Sequence, residues 1–174
     1  AGQDTSHRDR HLTELSSVQV TASPLQGDAE SLARPVDVLA GERLDEQKAG
    51  TLGDTVAKLP GVQSTFFGPG VGRPIIRGLD NHRVRIQENG LGVNDMSDVG
   101  EDHGVPIDPL AAEKIEVIRG PATLRYGSQA IGGFVNVDNN RIPTAVPPRG
   151  FGAEFRGAYN SVDRGVEGGV LLDA

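Results

Sequence analysis

The 174-residue chain contains no cysteine and no tryptophan, and aromatic residues make up only 4% of it. The absence of cysteine excludes disulfide staples, thiolate zinc sites and cysteine nucleophiles. No run of 18 or more apolar residues occurs, which excludes a membrane-spanning helix. Positive charge is also scarce: 17 Lys and Arg stand against 24 Asp and Glu, for a net charge of −7 without a long run of one sign. Sequence-independent nucleic-acid binding needs basic patches facing phosphates, so no nucleic-acid partner is expected. The opening Ala1-Gly2-Gln3-Asp4 has neither a basic nor an apolar leader region, as in a cytosolic product or a mature form after signal removal. What the chain does have is 24 glycines and 11 prolines, about a fifth of its residues against a usual ~12%. Turns and special backbone angles are therefore frequent, and the length suits one domain with appendages.

Three zones follow. Residues 1–30 are polar and charged, with one short β-prone alternation at Val18-Gln19-Val20, and read as a mobile tail. A β-prone segment in such a tail can also add as an edge strand to a partner's sheet. Residues 31–140 change periodicity often, as in a small α+β domain. Strands are expected at 35–39, 62–64, 74–77, 83–87, 91–93, 114–119 and 133–138, and short helices at 41–47, 52–59, 109–112 and 121–126. Thr51 is placed to cap the helix on which Leu52, Val56 and Leu59 share a face, and Pro60-Gly61 ends it. The strands at 74–77 and 83–87 look joined by a polar turn at 79–82. Asn89-Gly90 is a strong hairpin signal because both positions tolerate positive φ. Residues 141–174 form a linker and then alternate, with Ala153, Phe155 and Tyr159 on one face and Glu154, Arg156 and Asn160 on the other. A soluble hairpin with one wet face and a hairpin of a membrane barrel both give that pattern.

Few residues carry chemistry. Gly68-Pro69-Gly70-Val71-Gly72 is followed by strand rather than helix, which argues against a dinucleotide loop and for a mobile one carrying Phe66 and Phe67. No nucleophile elbow or Ser–His constellation is present, so catalysis is not expected. Acidic residues concentrate at 94–103, including Asp98, Glu101 and Asp102 beside His103. On composition this is a solvated loop, and its donors could supply two or three ligands to zinc or another divalent ion. His7 and His11 have the i, i+4 spacing of a helical chelate, but in a polar tail they read as exposed histidines. Arg77 and Arg119 each close an apolar strand before a glycine, and a guanidinium there wants a carboxylate partner.

Glu116-Val117-Ile118-Arg119-Gly120-Pro121, then Tyr126-Gly127, then Gly132-Gly133-Phe134-Val135-Asn136-Val137 resembles the signature of the plug domain of TonB-dependent outer-membrane receptors. Leu59-Pro60-Gly61-Val62 and Pro74-Ile75-Ile76-Arg77-Gly78 fit the same family in the same order. Ser17-Val18-Gln19-Val20-Thr21-Ala22 is similar to the TonB box, the tail segment offered to the C-terminal domain of TonB in the periplasm. The resemblance implies a mixed four-stranded sheet with short helices over 31–140, lodged in a barrel of which residues 150–174 form the first hairpin. It also implies that Arg77 and Arg119 pair with carboxylates on the barrel wall, that loops with Phe66, Phe67, Asp98 and Glu101 face the substrate, and that the receptor sits in the outer membrane of a Gram-negative bacterium. Within the family, Glu101-Asp102-His103 before Val105-Pro106-Ile107-Asp108-Pro109 is similar to the zinc-uptake receptors, so Asp102 and His103 are the expected metal ligands. Zinc is then the cargo, and no cofactor is required. An iron chelate, haem or cobalamin receptor relying on Phe66 and Phe67 is the alternative, and a stand-alone periplasmic binding or signalling module is another.

Overall fold

The computed structural model describes residues 19–20, 27–28, 36–93, 100, 102–141, 150–161 and 164–173. Its elements run β1 (Gln19–Val20), β2 (Gly27–Asp28), β3 (Val36–Ala40), α1 (Gly41–Asp45), α2 (Leu52–Val56), β4 (Val62–Ser64), β5 (Pro74–Ile76), β6 (Val84–Glu88), β7 (Leu91–Gly92), β8 (Ala112–Ile118), β9 (Gly133–Asn139), β10 (Gly152–Asn160) and β11 (Gly165–Asp173). Short 3-10 segments cover Asn81–Arg83, Pro109–Ala111, Pro121–Tyr126 and Ser128–Ala130.

The main sheet has the order β3-β8-β9-β6-β7. It is mixed, as expected: β6 runs parallel to β9 and the other neighbours are antiparallel. The fifth strand beyond the expected four is the two-residue β7, turned back by Asn89 (φ 49) and Gly90 (φ 79), the pair of positive angles that a tight hairpin requires. Strand side chains alternate between faces, so Ile115, Val117, Val135 and Val137 enter the core together. Leu52, Val56 and Leu59 meet them from α2 and the turn after it. Thr51 accepts a hydrogen bond from the Asp54 amide (3.1 Å), which caps α2 as read from the sequence.

The opposite face of β8 and β9 is also closed, with buried Ile118 and Phe134 at one end and polar groups at the other. Glu116 lies across from Asn136 and is fully buried, and Lys114 reaches both Glu116 (3.2 Å) and Asp138 (3.0 Å). A buried carboxylate is tolerated only with such partners, because desolvating a lone charge costs several kcal/mol.

One pairing differs from the sequence reading. The segments at 74–77 and 83–87 do not share a sheet: β5 pairs with β4, and β6 joins the main sheet. The cause is a tight reversal immediately after β5. Arg77 (φ 54) and Gly78 (φ 75) both take left-handed angles, and Ile76 and Leu79 exchange two backbone hydrogen bonds of 2.8 and 3.0 Å. The chain therefore enters β6 from a new direction.

The small β4–β5 unit packs on α2 through an unusually close approach at Gly53. A side chain there would sit 2.6 Å from Ser64 Oγ and 2.7–2.8 Å from the carbonyl carbons of Gly72 and Arg73. Backbone cannot step aside as a side-chain tip does, so Gly53→Ala is expected to lower stability by about 2 kcal/mol despite alanine's better helix propensity. Urea unfolding checks this, and an unchanged midpoint contradicts the close packing.

Candidate functional site

At one end of the β4–β5 unit, residues 65–73 form a loop held at its base. The Thr65 amide donates to the Arg73 carbonyl and the Arg73 amide donates to Thr65 Oγ1, both at 2.9 Å. The loop's tip presents Phe66 and Phe67, 84% and 65% exposed. Two neighbouring aromatic rings left in water are costly, and such pairs mark a contact surface.

Residues 100 and 102–104, which follow β7 in the chain, lie against the first loop. Arg73 is buried and its Nη1 donates to the Gly100 carbonyl at 2.7 Å. Gly104 fits so tightly on the first loop that an added Cβ would lie 2.7 Å from the Gly70 carbonyl oxygen. These two contacts put the aromatic tip and the Asp102-His103 dipeptide on adjoining loops. His103 Nδ1 and Asp102 Oδ1 are 2.9 Å apart, with both side chains about half exposed. The hydrogen bond from the imidazole, helped by a backbone hydrogen bond, holds the Asp102 carboxyl below its ordinary range. The carboxylate therefore stays charged to lower pH than a free aspartate.

As a metal centre this pair is incomplete. Structural zinc takes four protein ligands and catalytic zinc three, and this pair supplies at most two. Among the described residues no group of three His, Cys, Asp or Glu side chains is arranged to hold a metal. Asp98 and Glu101, and likewise His7 and His11, lie outside the described residues.

The two strand-end arginines have different fates. Arg77 is an exposed turn residue whose amide donates to the Gly61 carbonyl (3.0 Å). Arg119 is largely buried and bonds the Asp37 carboxylate and the Pro60 carbonyl. The register that sets Val36 opposite Ile118 brings Asp37 within its reach. The carboxylate that the sequence reading sought for Arg119 on a barrel wall thus has a counterpart inside this chain. Of the segment 17–22, Gln19 and Val20 are described. They form β1, paired antiparallel with Gly27–Asp28 of the same tail. Ser17, Val18, Thr21 and Ala22 lie outside the described residues.

The terminal hairpin has two unlike faces. Register places Ala153 opposite Leu172, Phe155 opposite Val170 and Tyr159 opposite Val166. On that face Phe155, Tyr159, Val166, Val170 and Leu172 are all exposed large apolar side chains. On the other face Arg156 donates to the Leu110 carbonyl at 2.8 Å and to Glu154 at 2.6 Å. A cleft of about 570 Å³ is lined by Asp108, Asn139, Arg141, Glu154, Arg156 and Glu167. Apolar residues outward and polar residues inward is the reverse of a water-soluble hairpin and the arrangement of a barrel wall. Sequence reasoning found neither Arg73 nor Arg156 as a contact. The available signals were an arginine placed directly before a strand's proline and one on the polar face of the hairpin.

Comparison with known proteins agrees with this geometry. Residues 28–134 match the family described as TonB-dependent Receptor Plug Domain. The chain is 31% identical over 127 residues to a "Hemin receptor" of Yersinia pestis, covering 72% of this chain and 18% of that protein. It is 29% identical over 119 residues to the "Vitamin B12 transporter BtuB" of Photobacterium profundum, covering 68% of this chain and 20% of that protein. Among solved structures, the siderophore receptor PirA from Acinetobacter baumannii superposes with a TM-score of 0.55 at 26% identity, over 72% of this chain and 20% of that one. The alcaligin outer-membrane receptor FauA from Bordetella pertussis shares the fold, with a TM-score of 0.58 at 22% identity over 82% of this chain and 24% of that one. The chain spans about a fifth of the length of the curated relatives it matches. On the family match over 28–134 and the mixed sheet that carries it, the chain belongs to the plug domains of TonB-dependent receptors.

Proposed function

We propose that this chain is the gate of a Gram-negative outer-membrane receptor that takes up a chelated metal, as a siderophore complex, haem or cobalamin. The observation that carries the reading is the apex: exposed Phe66 and Phe67 on a loop fixed beside Asp102 and His103. A large, partly apolar chelate gains from rings that lose water on contact, whereas a bare cation gains nothing from them. The names of the haemin, cobalamin and siderophore relatives point the same way. Zinc, the cargo expected from the Asp102-His103 resemblance, gives way here to a chelate because the named relatives are haemin, cobalamin and siderophore receptors. Asp102 and His103 serve instead as polar contacts to the chelate.

In this reading β10 and β11 are the first hairpin of the enclosing barrel, with Phe155, Tyr159 and Val170 toward lipid. Arg156 reaches from the wall to the plug backbone at Leu110. The tail around Gln19 and Val20 faces the periplasm and is the docking segment for the C-terminal domain of TonB, which pulls the plug aside. Cargo contact favours the exposed tail only through differential affinity for the two tail states.

Calorimetric titration of haemin, a ferric catecholate siderophore, cyanocobalamin and zinc chloride into this chain tests the cargo. One chelate is expected to bind, and Phe66→Ala with Phe67→Ala to weaken it about tenfold or more, from apolar contact area lost. Binding of zinc alone, lost in Asp102→Ala with His103→Ala, overturns the chelate reading and restores the zinc one.

A further inference from the structure

We infer that Arg73 is a positioning residue that fastens Gly100, and with it Asp102 and His103, to the aromatic loop, so that the two present one cargo surface. The inference rests on the apex being the cargo site. Three observations carry it. Arg73 is only 7% exposed, although it lies at the base of a loop and could have turned outward to water. Its guanidinium donates across 27 residues of sequence to a backbone carbonyl, that of Gly100. A carbonyl acceptor lets the contact fix the path of the second loop whatever side chains that loop carries. Finally, Gly104 rests on the Gly70 carbonyl, a second fixed point four residues from the first. Between these two points stand Asp102 and His103.

Arg73 is also well mounted. Its own amide and carbonyl are bonded to Thr65, and the preceding Gly72 carbonyl accepts from the Gly53 amide of α2 at 3.1 Å. Gly72 lies so close to Thr51 that a Cβ would be 2.0 Å from its hydroxyl. The clamp is therefore built on the rigid α2–β4–β5 unit, and an interaction preorganised in this way spares the cargo the entropy of ordering two loops. A lysine offers the same charge at a similar reach but lacks the planar fork, so it should restore only part of the effect.

The chain's lack of native cysteine allows spin labels at Gly68→Cys, where an added side chain meets open space, and at Asp102→Cys. In otherwise native protein the inter-label distance distribution is expected to be narrow. In Arg73→Gln it is expected to broaden, and in Arg73→Lys to fall between. In unlabelled protein, Arg73→Gln is expected to weaken the bound chelate among haemin, ferric catecholate siderophore and cyanocobalamin about tenfold, as for a lost charged hydrogen bond. Arg73→Lys again falls between. A distance distribution unchanged in both variants overturns the clamp, and so does a broadened distribution with undiminished chelate affinity. Should native protein bind none of the three, the cargo reading of the apex fails, while the distances alone still decide whether Arg73 fastens the loops. If Arg73→Gln does not fold, Arg73→Lys carries both readouts.

Discussion

Lys114→Met is expected to destabilise the domain by about 2–3 kcal/mol, measured as a lower urea midpoint with an unchanged slope. The side chain is close in volume, so the loss does not come from a cavity. It comes from Glu116, which has no exposed surface and faces the Lys114 ammonium at 3.2 Å. Removing one member of a buried pair takes away part of the other charge's compensation while that charge stays desolvated, which costs more than the pair itself contributes. The estimate sits below the range for fully buried pairs because Lys114 is 17% exposed, so water screens part of the interaction. Asp138, another partner of Lys114 at 3.0 Å, is more exposed and contributes less. The double change Lys114→Met with Glu116→Gln is expected to recover at least half of the loss, since the buried group is then neutral. A single variant within 0.5 kcal/mol of the native chain would refute the role given to this pair, and equal loss in the single and double variants would mean that packing rather than charge is responsible.

This cluster shows where the sequence was legible and where it was not. Periods of two and near four, with Thr51 as cap and Asn89-Gly90 as turn, located the helix α2, the strands β8 and β9 and the β6–β7 hairpin, because each signal is local. Partnerships across the chain left no such trace. Lys114 and Glu116 look like the wet side of a half-exposed strand, and only the neighbouring β9 reveals that this side is closed. Arg77-Gly78 lacks the asparagine or aspartate that announces a tight turn, so β5 seemed to pair forward with β6 rather than back with β4. Arg77 and Arg119 occupy equivalent places in their motifs, yet one is an exposed turn residue and the other is buried against Asp37. The candidate site followed the same rule. Phe66, Phe67, Asp102 and His103 stood out by composition, but the joining of their loops depends on Arg73 and Gly104, whose partners are distant in sequence. Faces of the β10–β11 hairpin were readable at once, but not that Arg156 on the polar face reaches the Leu110 carbonyl.

Val20→Pro is expected to reduce binding of the TonB C-terminal domain by more than tenfold, to the point of loss. Strand addition draws its affinity from backbone hydrogen bonds, and proline both removes a donor and places its ring where a neighbouring strand must lie. Side-chain truncations should do much less, so Gln19→Ala is expected to stay within a few fold. The tail adds a second expectation. Gln19 and Val20 already pair with Asp28 and Gly27, so one edge of this strand is occupied within the chain itself. A two-residue ladder is marginal in water, which makes β2 an easily displaced competitor rather than a barrier. Gly27→Pro, which weakens β2 without touching β1, should therefore leave TonB binding unchanged or tighten it. Surface-immobilised TonB C-terminal domain titrated with the three variants separates the cases. Native affinity in Val20→Pro would remove strand addition at this segment from the mechanism. A loss in Gly27→Pro as large as that in Val20→Pro would mean that the β1–β2 pair, rather than the single strand, is what the partner recognises.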